Sequence, residues 1–175
     1  MGNLGPLQDG GRVAIIGGGP GGVGCALALQ HLGALMGRHL TITVIEGKEF
    51  TGERHHNLCV GVLSNPLPAV MAECMGLPFP YELSRGQVAG YVLHTGGEEI
   101  RLEDERRDSV VIRRTQFDHY MLEAARARGI QIEQARALDV NFHDNGVAVY
   151  TESSSIEADV VVGAFGMDNG SAATF

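Results

Sequence analysis

The sequence predicts an α/β fold built on a parallel sheet, and three observations predict it. An apolar run, Arg12 to Ile16, leads straight into Gly17-Gly-Gly-Pro-Gly-Gly22 and a helix-compatible stretch. A second β-branched run, Thr41 to Ile45, closes on Glu46. A third, Val160 to Val162, follows a helix with a well-marked apolar face. Strands that alternate with helices leave the strands parallel and the helices on the sheet's faces. The order reads βαβ, a β-rich insertion, α, β, a small β-meander and β. That is a Rossmann-like arrangement opening on a βαβ dinucleotide-binding unit.

Within the first unit each residue type has a reason. Gly17 lets the chain turn sharply off the strand, Gly19 lets backbone approach a pyrophosphate, and Gly22 lets the helix pack tightly on the sheet. The free N–H groups and positive dipole end of that helix face the phosphates. Glu46 stands at the tip of the second strand, where a carboxylate accepts hydrogen bonds from ribose hydroxyls. A lone glycine motif would be weak; strand, glycines, helix and acid in this order are specific.

The first helix is expected over Pro20 to Arg38, its small residues Gly21, Gly24, Ala26 and Ala28 allowing close packing and Gly37 stopping it. An irregular polar segment, Gly47 to Asn57, precedes Leu58-Cys-Val-Gly-Val-Leu63. Ser64-Asn65-Pro66 reads as a cap with proline in the first turn, opening a short helix through Met75 that ends at Gly76. Gln87–Thr95 and Glu98–Leu102 read as a hairpin about Gly96-Gly97, and Ser109–Ile112 as another strand. Thr115 is expected to cap the next helix with Asp118 as its capping-box partner. Phe117, Met121, Leu122 and Ala125 form that helix's buried face, and Gly129 ends it. Ile130–Glu133 is the next parallel strand. Leu138–His143 and Val147–Thr151 flank the turn Asp144-Asn145-Gly146, and Glu157–Ala164 is a single buried strand before Gly166.

Bulk properties exclude several function classes. At 175 residues the chain holds one domain, residues 1–175, and hardly two. A net charge of −8 argues against a nucleic-acid partner, which requires concentrated Lys and Arg. The arginines between Arg101 and Arg114 are interleaved with acids and read as a mixed-charge surface. Cys25, Cys59 and Cys74 are odd in number and widely spaced, against a disulfide framework. His55-His56 is a poor chelate, so no metal is expected. No leader or transmembrane segment is legible, which places the expectation in the cytoplasm, at most associated with a membrane surface.

Three segments together resemble the N-terminal half of FAD-dependent oxidoreductases of the geranylgeranyl reductase and aromatic-hydroxylase group, which are glutathione-reductase-type flavoproteins in the wide sense. They are Gly17–Gly22 with Glu46, Arg114-Thr-Gln-Phe-Asp118 with Met121-Leu-Glu-Ala-Ala125 and Gly129, and Ala158-Asp-Val-Val-Val-Gly-Ala164 with Gly166. The resemblance implies that Gly17, Gly19, Pro20 and Gly22 hold the FAD pyrophosphate and Glu46 the adenosine ribose. It implies further that Gly47 and Lys48 lie along the same sugar and that Arg114, with Arg113 as its register alternative, reaches the diphosphate or ribityl region. Ala137 would meet the adenine edge through its backbone, and Gly163, Ala164 and Gly166 would pass close to the cofactor. Cys59, one residue from Gly61, loosely matches a Cys-Gly pair near the isoalloxazine in the reductase relatives.

Phe165 stands where that group has Asp or Thr, and the group's second FAD segment and most of its substrate domain are missing, so the FAD/NAD(P)-binding domain is expected to be incomplete. Gly166-Met-Asp-Asn-Gly170 would begin a crossover. The implied chemistry is flavin redox, with NAD(P)H as one electron donor and an isoprenoid or aromatic substrate. No acid, base or nucleophile stands out. Two other readings compete: an NAD(P)-binding domain, and a non-catalytic nucleotide-binding or docking fragment completed by a partner chain.

Overall fold

The structure, a computed structural model, describes residues 7–49, 59–103 and 106–166. Along the chain run β1 (Arg12–Ile16), α1 (Pro20–Leu35), β2 (Thr41–Ile45), β3 (Val62–Leu63) and α2 (Leu67–Met75). A 3-10 turn (Tyr81–Leu83) follows, then β4 (Ser84–Val88), β5 (Gly90–Thr95), β6 (Glu98–Glu103), β7 (Ser109–Ile112) and α3 (Arg114–Ala127). The chain continues through β8 (Gln131–Glu133), β9 (Ala137–His143), β10 (Gly146–Thr151), β11 (Ser155–Ala158) and β12 (Val160–Gly163).

The central sheet is parallel in the order β12-β1-β2-β8. Its two faces are covered differently, and strand alternation sorts the residues between them. Val13, Ile15, Ile42 and Val44 turn towards a core shared with Val23 and Leu27 of α1, Met71 of α2 and Phe117, Met121 and Leu122 of α3. Ala14, Ile16 and Ile45 turn to the other face, against Val147, Val149 and Ala158 of the antiparallel meander β11-β10-β9. Fully burying an aliphatic side chain such as Ile15 stabilises the fold by roughly 1.5–3 kcal/mol. A second antiparallel sheet, β3-β7-β4, and the hairpin β5-β6 make up the insertion.

The α/β class, the parallel sheet, the βαβ unit and the meander are all as the sequence predicts. Several local expectations change. α1 ends at Leu35 rather than Arg38, although Gly37 does follow it. Gly21 does not pack on the sheet; it is exposed, with no atom of the described residues within 4 Å of where a Cβ would stand. α2 begins at Leu67 with Pro66 at the cap position, while the Ser64 hydroxyl pairs with that of Ser109, 2.8 Å away. Thr115 is not a cap. α3 starts at Arg114 with Arg113 at the cap and no side-chain cap bond, and Asp118 turns inward to Arg114. β8 begins at Gln131, one residue later than expected.

The expected single strand Glu157–Ala164 is two strands. β11 pairs antiparallel with β10, whereas β12 pairs parallel with β1. The break falls at Asp159, whose carboxylate accepts from the Arg12 backbone N–H at 2.7 Å and from its guanidinium at 2.8 Å. That guanidinium holds the Asp159 carboxyl below the usual carboxylate range. β12 is also only half-buried, with Val160 exposed; among the described residues it is the edge of the sheet, hydrogen-bonded to β1 on one side. The expected crossover over residues 167–170 lies outside the described residues, as do Leu58 and the His55-His56 pair. Among the described residues no helix is long and apolar enough to cross a membrane.

Candidate functional site

The C-terminal ends of β1, β2 and β12 converge on the glycine loop, where ligands of open α/β sheets bind. Backbone bonds extend the ladder beyond the strands: Gly17 N–H donates to the Ile45 carbonyl at 2.9 Å, and Ala164 N–H to that of Ile16 at 2.8 Å. Gly17 has φ +111°, a conformation that needs glycine. A Cβ there would also overlap the Ala164 carbonyl oxygen.

The loop's glycines fall into two kinds. A Cβ at Gly22 would overlap the Gly17 carbonyl oxygen, so Gly22 is demanded by the fold itself. At Gly19 and Gly21 nothing among the described residues lies within 4 Å of a Cβ position. Gly19 is the cap residue of α1, with no side-chain cap bond and no acid in the first turn. The first amides of α1 therefore take no side-chain cap, and the positive end of the helix dipole lies with them. Pro20, at the first helical position, has no N–H to satisfy and presets the helical φ.

Glu46 does not stand free at the tip of β2. Its Oε2 accepts from Gly18 N–H and its Oε1 from Lys48 N–H, each at 2.7 Å. A carboxylate has about four lone-pair sites, so two remain for hydroxyl donors. The same contact shows why the second glycine of the loop matters. A Cβ on Gly18 would stand 2.7 Å from the Glu46 Cβ and push the acid out of place. Sequence reasoning passed over Gly18, because the spacing motif leaves that position open.

A second residue was missed. Gln134, in the connection from β8 to β9, donates from its amide to the carbonyls of Glu46 at 2.9 Å and Lys48 at 3.2 Å. It clamps the loop that carries the acid. No local pattern marks a lone glutamine for this role. Gln134→Ala is expected to leave the fold intact and weaken adenylate binding by a few-fold, about 1 kcal/mol for the lost bonds. Titration calorimetry with ADP checks it.

The other expected site residues are spread around this centre. Gly47 packs beside Arg136, whose Cβ is 3.4 Å from a Gly47 Cβ position, and the Lys48 side chain is exposed. Ala137 opens β9, pairs with Thr151 and packs against the second core, one residue from Arg136. Gly163 ends β12, and a Cβ on it would strike the Phe165 ring at 2.7 Å. Phe165 thus packs back into the core on the meander side, in place of a polar residue at the loop. Gly166 is exposed, with no atom of the described residues within 4 Å of a Cβ position there.

Arg114 lies at the first turn of α3, away from these glycines in sequence. Its Nε donates to Asp118 Oδ1 at 2.8 Å, with 19% and 3% of the two side chains exposed. Burial acts to lower the guanidinium's pKa, but the Asp118 bond and charge outweigh it, with a smaller share from Cys59; the net direction is upward. Arg114 therefore stays cationic. Cys59 is exposed, and its sulfur also accepts from Gly61 N–H at 3.4 Å. Arg113 is exposed beside them. Among the described residues no group of three or more His, Cys, Asp or Glu side chains could hold a metal ion.

No protein-family model and no curated protein sequence matches the chain. Solved structures do match in fold. FqzB superposes with a TM-score of 0.72 at 20% identity, over 96% of this chain and 39% of that one. CtdE in complex with FAD and a substrate gives 0.69 at 16% identity, over 92% of this chain and 39% of that one. The peptidyl tryptophan dihydroxylase QhpG gives 0.59 at 21% identity, over 91% and 33%. The chain thus shares its fold with part of these proteins and spans about two fifths of the FqzB and CtdE chains.

Proposed function

We propose that this chain binds the ADP half of FAD and is the FAD-binding portion of a flavin-dependent oxidoreductase. One observation carries the reading. Among the described residues nothing lies within 4 Å of a Cβ position at Gly19 or Gly21, α1 starts there with no side-chain cap and no acid in its first turn, and Glu46 is bonded to Gly18 of the same loop. A diphosphate fits the amides and dipole, and a ribose fits the two open acceptor positions on Glu46. FAD supplies redox chemistry when bound; these residues bind and orient it. The fold shared with CtdE, solved in complex with FAD, supports FAD over a nicotinamide nucleotide for this cradle. An NAD(P)H donor is proposed only for the whole protein.

Between the two substrate classes that the resemblance implies, the aromatic one is favoured. QhpG, named as a tryptophan dihydroxylase, shares the fold, which supports an aromatic substrate over an isoprenoid one. A further stretch of polypeptide, from this protein or a partner, is part of the proposal. The hairpin β5-β6 leaves Tyr91, Leu93, Ile100 and Leu102 exposed, in keeping with a covering layer there.

Titration with ADP, FAD, NAD and NADP at one ionic strength tests the reading. ADP and FAD are expected to bind, with NADP at least about tenfold weaker because Glu46 repels a 2′-phosphate. A clear preference for NAD over FAD, or no adenylate binding at all, overturns it.

A further inference from the structure

The hairpin β5-β6 forms a sheet of its own, and among the described residues that sheet has two strands. Its register sets Tyr91 opposite Leu102 and Leu93 opposite Ile100, with no bulge along its length. Residues directly opposite share a face, so these four side chains make one apolar face, and all four are exposed. The other face carries Val92, His94, Glu99 and Arg101, with Glu99 accepting from the Arg101 Nε at 2.8 Å. Two strands alone are marginal in water, and a third is the usual remedy.

The two strands differ in charge. β6 carries Glu98, Glu99, Arg101 and Glu103, and charged side chains protect an edge from pairing. β5 has neither a charged residue nor a proline. In a chain of net charge −8, β5 is an edge that a second copy can approach without setting like charges opposite each other. The segment Gly90-Tyr-Val-Leu-His94 also fits itself. Turned about a twofold axis at Val92, an antiparallel copy sets Val92 on its own symmetry mate and Tyr91 on the mate of Leu93, twice over. Aromatic–aliphatic cross-strand pairs of this kind stabilise a sheet, and a twofold interface requires such self-complementarity.

We infer that the outer edge of β5 is a docking site for a second copy of this chain, pairing β5 on β5 antiparallel about Val92 into a four-stranded sheet β6-β5-β5-β6. An interface built on one strand pair falls at the small, weak end of protein interfaces, so monomer and dimer exchange with concentration over roughly 1–100 µM. The apolar face stays available to the covering polypeptide of the proposed function. The inference does not rest on FAD binding.

Sedimentation equilibrium of the full chain tests it, and the average mass is expected to climb from monomer towards dimer over that range. Val92→Lys sets two ammonium groups against each other on the axis and is expected to weaken association at least about tenfold. Val92 is exposed and belongs to neither core, so ADP affinity and circular dichroism are expected to stay as in the natural protein. Cross-linking reads the register. Opposed Cα atoms of an antiparallel pair lie about 4.5–5.5 Å apart, within disulfide reach, so Val92→Cys is expected to give a bridged dimer under mild oxidation. Thr95→Cys is the control, because its two copies would stand roughly 20 Å apart. Peptide mass spectrometry separates either bridge from one through the exposed Cys59. A chain monomeric to about 500 µM, association untouched by Val92→Lys, or equal bridging at the two positions overturns the inference. Should the monomer instead sediment with phosphatidylcholine–phosphatidylglycerol vesicles, the hairpin serves a membrane and the inference falls as well. ADP titration is read separately, so none of these outcomes touches the FAD reading.

Discussion

Replacing Gly22 by alanine is expected to destabilise the fold by about 3 kcal/mol or more and to abolish adenylate binding with it. The cause is local and steric. The new methyl would overlap the Gly17 carbonyl oxygen, and it is backbone on both sides that would have to move. Gly17 cannot yield easily, because its own Cβ position is closed by Ala164 and its N–H is bonded to Ile45. Relief would come only from lifting α1 off β1, which opens the core around Ile15, Val23 and Leu27. Gly19→Ala is the matched control. Its φ of −69° and ψ of 176° are open to alanine, and nothing among the described residues lies within 4 Å of the added methyl. Stability should change by no more than about 1 kcal/mol, the scale of a cap substitution, while ADP affinity falls at least about tenfold because the methyl occupies the phosphate's approach. Urea denaturation and calorimetry on the two variants check the pair. Equal stabilities would refute the steric account; unchanged ADP binding in Gly19→Ala would refute the cradle.

The second large effect is expected at Asp118. Asp118→Ala should cost about 3–5 kcal/mol, since it leaves the largely buried Arg114 guanidinium without its counter-charge. The double variant Arg114→Met/Asp118→Leu should recover most of that loss, because apolar side chains of similar bulk avoid the desolvation of both ions. If Arg114 serves the nucleotide, the recovered variant still binds FAD more weakly than the natural protein, whereas ADP separates a diphosphate contact from a ribityl one. Denaturant midpoints and FAD titration read these out separately. A single variant as stable as the natural protein would show that the pair contributes nothing to the fold.

Most of the framework was legible because it rests on local patterns. β1 and β2 announce themselves through β-branched runs, α3 through the spacing of Phe117, Met121, Leu122 and Ala125, and the helix stops through Gly37, Gly76 and Gly129. The misreadings arose where one local pattern admitted two partners. Thr115 and Asp118 have capping-box spacing, but the burial of Arg114 gives Asp118 a stronger partner than a backbone amide. Glu157–Ala164 looks like one strand, but Asp159 has Arg12 to hold, and the chain changes sheets there.

By itself the sequence determined the α/β class, the βαβ opening and the glycine loop with an acid at the next strand's tip. Each of these follows from steric or periodic demands within a few residues. Only the tertiary structure decided that Gly18 seats Glu46 and that Gln134 clamps the acid's loop. Those contacts join residues about 28 to 88 positions apart. Hydrogen bonds over such separations depend on which surfaces the packed core brings together, and no local period encodes that.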